Sequence, residues 1–384
     1  MARLKKLLEP LRGRITTALG NSAPSALFSL ETVLLLLSWV YGAVVRVRTR
    51  LYQSGVLPSK TLPCHVISVG NIVAGGTGKT PMTIFVAQRI RDLGYRVVVI
   101  SRGYRGRMQA SGGIVSDGRT ILRGPEDAGD EPYLIARTLK NIPVVVGRRR
   151  YLAGLLAVDR FKPDVIVLDD AFQHMHLKRD LDLVLLDSRS PFGNGYLLPR
   201  GVLREPPSAL RRAQVLILTR SKPSKAPPFS HALLERLPVY HTRHHPVIRK
   251  MATSTERIQT DTSDIAFLRD KKVVAFSGLA ENRRFFDTLQ GAGCRLMRTV
   301  AFADHQRYTA GDLDRIVSAS NKTGADVVAT TFKDYVKIQH FKNLPSALAV
   351  VDVDIELIGD EAGFIKTIST GLPPVAPVHR SYPG

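Results

Sequence analysis

The chain is short of cysteine, of acidic residues and of long uncharged apolar runs. Its two cysteines, Cys64 and Cys294, are far apart and have no companions at metal-ligand spacing. That argues against a disulfide framework or a zinc site and fits a reducing compartment. Asp and Glu number 33 against 55 Lys and Arg, a net charge of +22. Such an imbalance favours a polyanionic partner: nucleic acid, an anionic membrane surface or a phosphorylated substrate. No recognisable nucleic-acid-binding motif accompanies the charge, so no nucleic-acid partner is expected. Internal repeats and low-complexity arrays are also missing. With 384 residues, 44% of them hydrophobic, the chain suits an ordinary folded protein of two domains.

The apolar run from Val33 to Val45 covers about 20 Å as a helix, short of a ~30 Å hydrocarbon core. Extending it back to Leu27 takes in Glu31. It starts too far into the chain, and lacks the small-residue cleavage site, for a signal peptide. Arg46, Arg48 and Arg50 at its far end suit anionic headgroups, with Trp39 and Tyr41 near the interface. A buried core helix is the alternative. The expectation is a membrane-associated segment over residues 1–50, with spanning and dipping both open.

Beyond it, apolar runs alternate with helical spacing. "CHVISVG", "YRVVVIS", "PVVVG", "PDVIVLDD", "LDLVLLD" and "AQVLILTR" read as strands. "PMTIFVAQRIRDLG", "DEPYLIARTLK" and "YLAGLLAVDRF" read as helices. This pattern predicts an α/β fold, a parallel sheet covered by helices, over residues 51–245. The Pro/Ser/Lys stretch at 221–230 reads as a surface connection. A second alternation, from "KKVVAFSG" to "LAVVDVDIEL", predicts a smaller α/β domain at 246–350. Residues 351–384 form a tail that is expected to return to the first domain.

The chemistry begins at "VGNIVAGGTGKTP", where a strand meets a helix. A phosphate-binding loop uses glycines so that backbone N–H groups converge on phosphate oxygens. Gly75, Gly76, Thr77 and Gly78 form the cradle, Lys79 supplies the cation and Thr80 a hydroxyl for Mg²⁺. Position 73, where the opening glycine belongs, is valine. Asp169 and Asp170 in "VIVLDDAFQH" close a predicted strand, where a carboxylate can hold Mg²⁺ directly or through water. Gln173 and His174 can touch nucleotide or metal-bound water, or simply shape a turn. Asp130 in "GDEP" either caps a helix or accepts a proton from an attacking hydroxyl. Arg204 and Glu205 in "LPRGVLREPP" suit phosphoryl charge and Mg²⁺, or form a surface ion pair. His305 in "FADHQRY" can orient a base or bridge domains.

The order of "VGNIVAGGTGKTP", "SRGYRG", "GDEP", "LDDAFQH", "LLPRGVLREP", "FADHQRY" and "TTFKDYVKI" resembles that of the tetraacyldisaccharide 4′-kinases of lipid A synthesis. The likeness runs from the apolar segment to about residue 340 and includes the displaced glycine. Phe332 departs from it, standing where glutamate is common, and "GLAENRRFF" lacks a usual proline. The resemblance implies a P-loop NTPase-like fold and transfer of the γ-phosphoryl of ATP, with Mg²⁺, to the 4′-hydroxyl of an acylated glucosamine disaccharide 1-phosphate, giving lipid IVA. It implies Asp130 as base with His305 supporting it. Gly75 to Thr80, Gln173 and Arg204 would lie around the nucleotide, and Thr80, Asp169, Asp170 and Glu205 around the metal. The implied location is the cytoplasmic face of a bacterial inner membrane, without an obligate protein partner. A nucleotide-hydrolysing switch of the membrane-positioning or metallochaperone type is the alternative, since deviant glycine loops occur there too.

Overall fold

The computed structural model describes residues 29–221, 237–252, 263–279, 281–304 and 306–374. In chain order the helices are α1 (Leu30–Gln53), α2 (Lys79–Asp92), α3 (Pro125–Ala128), α4 (Asp130–Thr138) and α5 (Arg150–Phe161). There follow α6 (Asn282–Gly291), α7 (Ala310–Thr323), α8 (Phe332–Ile338) and α9 (Glu361–Ser369). The strands are β1 (His65–Asn71), β2 (Val97–Ser101), β3 (Gly113–Ser116), β4 (Val144–Val146), β5 (Val165–Asp169), β6 (Leu181–Asp187) and β7 (Val215–Thr219). Six more complete the set: β8 (Val239–Ala252), β9 (Ser263–Asp264), β10 (Lys272–Ser277), β11 (Arg295–Ala301), β12 (Val327–Thr331) and β13 (Leu348–Ile358).

Two compact units divide the chain, one from residues 1–101, 149–243 and 357–384, the other from 102–148 and 244–356. In the first, β2, β5, β1, β6, β7 and the start of β8 pair in parallel in that order. Every residue of β5, β6 and β7 is buried, which explains their near-continuous apolar runs: a parallel strand with both faces covered has no solvent-facing side. β1 lies where the strand order reverses, with β5 on one flank and β6 on the other. Crevices at such switch points, outside the carboxyl ends of the strands, are where ligands bind in this architecture. The C-terminal α9 returns to this unit and inserts Phe364 beside Phe85 of α2 and Tyr240 of β8.

In the second unit β11, β10, β12 and β13 are parallel neighbours. Their alternate residues point to opposite faces, so two cores form. Val273, Ala275, Ala329 and Val351 pack with Phe285 and Leu289 of α6. Val274, Phe276, Val328 and Val350 pack with α7 and α8.

Residues 102–148, expected with the first alternation, group instead with 244–356. The reason is α4, whose Leu134 joins the α7–α8 core and whose Tyr133 hydroxyl accepts from Gln339 Nε2 at 3.2 Å. β4 pairs antiparallel with β3. Neither β3 nor β8 shows in the sequence; "VYHTRHHPVIRKMA" is too polar to read as a buried strand.

α1 is neither a core helix nor a free one. Its buried residues are Leu34, Ser38 and Gly42, while Val33, Leu36, Trp39, Val40 and Val44 are at least half exposed. Its 24 residues span about 36 Å. Tyr41, expected at an interface with Trp39, instead turns inward, its hydroxyl donating to the Arg204 carbonyl at 2.9 Å.

Candidate active site

The glycine loop leaves the end of β1 and enters α2. Gly75 (φ 118°) and Gly78 (φ 86°) have backbone conformations that side chains resist, and nothing crowds Gly75 or Gly76 from outside. Gly78 caps α2 with no side-chain hydrogen bond, and no acidic residue occupies the first turn. The helix therefore presents its first N–H groups and positive dipole end to an incoming anion. Lys79 Nζ donates back to the Gly75 carbonyl at 3.3 Å, curling over the loop.

Val73 has a structural reason. It bridges to Leu203, with Ala74 N donating to Val202 O at 2.6 Å and Arg204 N to Ile72 O at 2.7 Å. Its side chain is buried in a core with Ile72, Phe172, Val184 and Leu203. The chain between β1 and the cradle is thus a short strand-like segment stitched to the 202–204 stretch, and a strand in a core takes valine.

Four carboxylates surround the loop in this unit. Asp169, at the end of β5, accepts from Thr83 Oγ1 and Ser101 Oγ at 3.0 Å each and is almost fully buried. Asp170 turns the chain with φ 47°, a left-handed backbone that aspartate tolerates better than most. Arg204 Nη1 donates to both of its oxygens at 3.0 Å, and Lys79 Nζ lies 3.8 Å away. Burial alone would raise the Asp170 carboxyl, but Lys79, Arg204 and Arg150 outweigh it and hold the group below its ordinary pKa. Glu205 is 1% exposed and accepts from Arg212 Nη2 at 2.5 Å, while its Oε1 is buried without a hydrogen-bond partner. Asp187, closing β6, is lowered to about 2: desolvation raises it, and Arg189 with Arg220 more than reverse that.

Gln173 Nε2 donates to the Asn71 carbonyl at 2.7 Å, tying the "DDAFQH" turn to the end of β1. Gly70 permits that approach, because a Cβ there would meet Phe172 at 2.6 Å. His174 is lowered to about 4, first by burial and then by Arg150 and Arg179, so it is neutral at physiological pH. Thr77 is buried, its hydroxyl accepting from Asn71 Nδ2 at 2.8 Å. Thr80, at the start of α2, is half-buried.

Asp130 belongs to the second unit, as the first residue of α4. Its Oδ2 lies 3.4 Å from Lys337 Nζ, which is also 3.6 Å from Asp334 Oδ1. Asp334 is fully buried and accepts from Thr331 Oγ1 at 2.8 Å and Gly278 N at 2.9 Å. Phe332, the residue that departs from the expected glutamate, is buried and stacks on Tyr335 with 13° between the rings. His305 lies outside the described residues.

Within the first unit, then, Asp170 binds Lys79 and Arg204, Gln173 reaches Glu205, and Asp169 anchors to α2. Sequence reasoning missed Asn71, Asp187, Arg220 and Lys337. Arg220, which follows β7 with φ 56°, donates to the Gly76 carbonyl at 2.8 Å and to Asp187 at 2.6 Å. The signal for Asp187 and Arg220 was present: each is the polar residue at the end of an apolar parallel strand. Lys337 carried no such mark.

A parallel sheet with a glycine loop at its switch point, a lysine folded over that loop and carboxylates on neighbouring strand ends defines a P-loop NTPase-like α/β protein. The profile of the tetraacyldisaccharide-1-P 4′-kinase family matches residues 30–372. The chain belongs to that family. It is 41% identical over 336 residues to the tetraacyldisaccharide 4′-kinase of Desulfatibacillum aliphaticivorans, covering 86% of this chain and 90% of that one. The corresponding protein of Geobacter sulfurreducens is 39% identical over 335 residues, covering 87% and 92%. Among solved structures, LpxK from Aquifex aeolicus in complex with ATP superposes with a TM-score of 0.71 at 32% identity, covering 90% of this chain and all of that one.

Proposed function

We propose that the protein is a lipid kinase that moves the γ-phosphoryl of ATP to the 4′-hydroxyl of a tetraacylated glucosamine disaccharide 1-phosphate, giving lipid IVA. The observation that carries this reading is the loop itself: an uncapped helix N-terminus with Lys79 and Arg204 both held on Asp170, in a chain that matches the family over nearly its whole length. The sugar oxygen forms a bond to γ-phosphorus as the bond to the β–γ bridging oxygen breaks, and ADP leaves. The hydroxyl proton passes to the Asp130 carboxylate, with His305 orienting it. Lys79, Arg204 and the first N–H groups of α2 stabilise the phosphate charge. Asp170 keeps the two cations in place until phosphate oxygens compete for them.

Among the described residues no three His, Cys, Asp or Glu side chains gather into a metal cage. That fits Mg²⁺, which uses one or two carboxylates together with substrate phosphates. The free Glu205 Oε1, the Thr80 hydroxyl and the Asp169–Asp170 pair are the groups that would hold it. When bound, it would neutralise developing charge on the phosphates.

The exposed apolar face of α1 and its arginines support attachment to a membrane, for which the cytoplasmic face of an inner membrane is the proposed location. With its inner face packed on protein from Leu34 to Gly42, α1 suits a helix lying along the bilayer surface better than one ringed by lipid. Domain roles follow the same proposal: residues 51–101 and 149–243 supply the nucleotide-binding core. Mass spectrometry of the acylated disaccharide after incubation with ATP tests the reading. One added phosphoryl group per disaccharide is expected. ATP consumption that is independent of lipid, with the lipid unchanged, would favour the hydrolytic switch instead.

A further inference from the structure

A helix that only anchors a protein needs an apolar outer face and an unremarkable inner one. The inner face of α1 is polar and specific. Ser38 Oγ donates to the Leu197 carbonyl at 2.6 Å and accepts from Arg200 N at 3.0 Å. Arg48 Nη2 donates to the Gln173 carbonyl at 3.0 Å. At Gly42 a Cβ would meet Leu197 at 2.7 Å, so the helix backbone lies close against this loop.

The contact with most consequence is at Arg204. Its N–H donates to Ile72 O, on the approach to the glycine cradle, and its carbonyl accepts from the Tyr41 hydroxyl. Its guanidinium holds Asp170. The backbone of Arg204 is therefore held through its N–H by the approach to the phosphate loop and through its carbonyl by the apolar helix.

We propose that Tyr41 is a positioning residue for Arg204, so that α1 sets the aim of the phosphate-binding arginine as well as facing the membrane. The proposal rests on Arg204 acting on phosphate, as the kinase reading holds. Losing the Tyr41 hydroxyl leaves the packing of α1 in place but frees the Arg204 carbonyl, and the guanidinium at the end of a long side chain loses one of its two backbone anchors. Small displacements of a group that stabilises a transition state lower turnover more than they lower ground-state affinity.

The experiment uses the full-length protein, detergent-dispersed acylated disaccharide 1-phosphate and ATP, with sedimentation on phosphatidylglycerol-containing vesicles in parallel. Tyr41→Phe is expected to lower kcat by about tenfold, the scale of one lost hydrogen bond. The KM for ATP and vesicle binding stay as in the wild type. In an Arg204→Ala background the same change should cost nothing further, because the group being positioned is gone. Wild-type kcat in Tyr41→Phe, or an undiminished loss in the Arg204→Ala background, overturns the positioning role. Wild-type turnover in Arg204→Ala alone overturns the underlying reading of the site instead.

Discussion

Replacing Val73 with glycine restores the residue a standard phosphate loop would have at its opening, and the structure says this harms the protein. Val73 is 8% exposed in the Phe172–Leu203 core. Removing a buried valine side chain forfeits about 1.5–3 kcal/mol of apolar burial. Glycine adds roughly 0.5–1 kcal/mol by enlarging the freedom of the unfolded chain. A loss of about 3 kcal/mol follows, a large share of the ~5–15 kcal/mol that holds a domain together. The hydrogen bonds that set the loop's path, Ala74 N to Val202 O and Arg204 N to Ile72 O, belong to the backbone and survive the change. The KM for ATP should therefore stay within about threefold, since no phosphate-facing group is lost. Urea unfolding would read the stability, with Val73→Ala isolating the burial part from the glycine part. At about 2–4 °C per kcal/mol the thermal midpoint should fall by several degrees. A Val73→Gly protein as stable as wild type, or one binding ATP markedly tighter, would refute the claim that the core dictates valine here.

Lys79→Ala should leave the fold intact and reduce phosphoryl transfer by about 10²–10³, as loss of one charge-stabilising group commonly does; near-normal turnover would defeat the nucleotide assignment. Asp130→Ala and His305→Ala should each slow turnover greatly, with the double variant little worse than the worse single one if the two act as a unit. Losses that multiply cleanly would leave His305 as a separate contact to substrate. Asp187, whose folded pKa of about 2 lies below its ordinary 3.8, contributes stability that is complete above that ordinary value and is lost as pH falls through the folded one. Asp187→Asn should therefore destabilise by about 2 kcal/mol at neutral pH, with the gap to wild type closing by roughly pH 2. A gap that persists in acid would mean the carboxylate's charge is not what matters.

Much of this protein could be read from local pattern. Near-continuous apolar runs such as "VIVLD" and "LDLVLLD" marked doubly covered parallel strands, because burial on both faces demands it. The run of glycines before Gly-Lys-Thr marked the phosphate cradle, because only such a backbone can bring its N–H groups together. Other features had no local signature. β8 mixes His, Arg and Lys with its apolar residues and is recruited as a strand by its neighbours. Val73 departs from the standard loop, and its reason appears only with the 202–204 stretch beside it. Asp130 reads as an ordinary helix start, yet its α4 groups with residues 244–356, where Lys337 reaches it. Tyr41 looked like a membrane-interface aromatic and proved to hold the carbonyl of a residue 163 positions away. Periodicity reports whether a residue is covered and what backbone it prefers, both of which are decided within a few residues. Which group then faces it depends on how the sheet orders its strands, and that order is settled only when the whole chain packs.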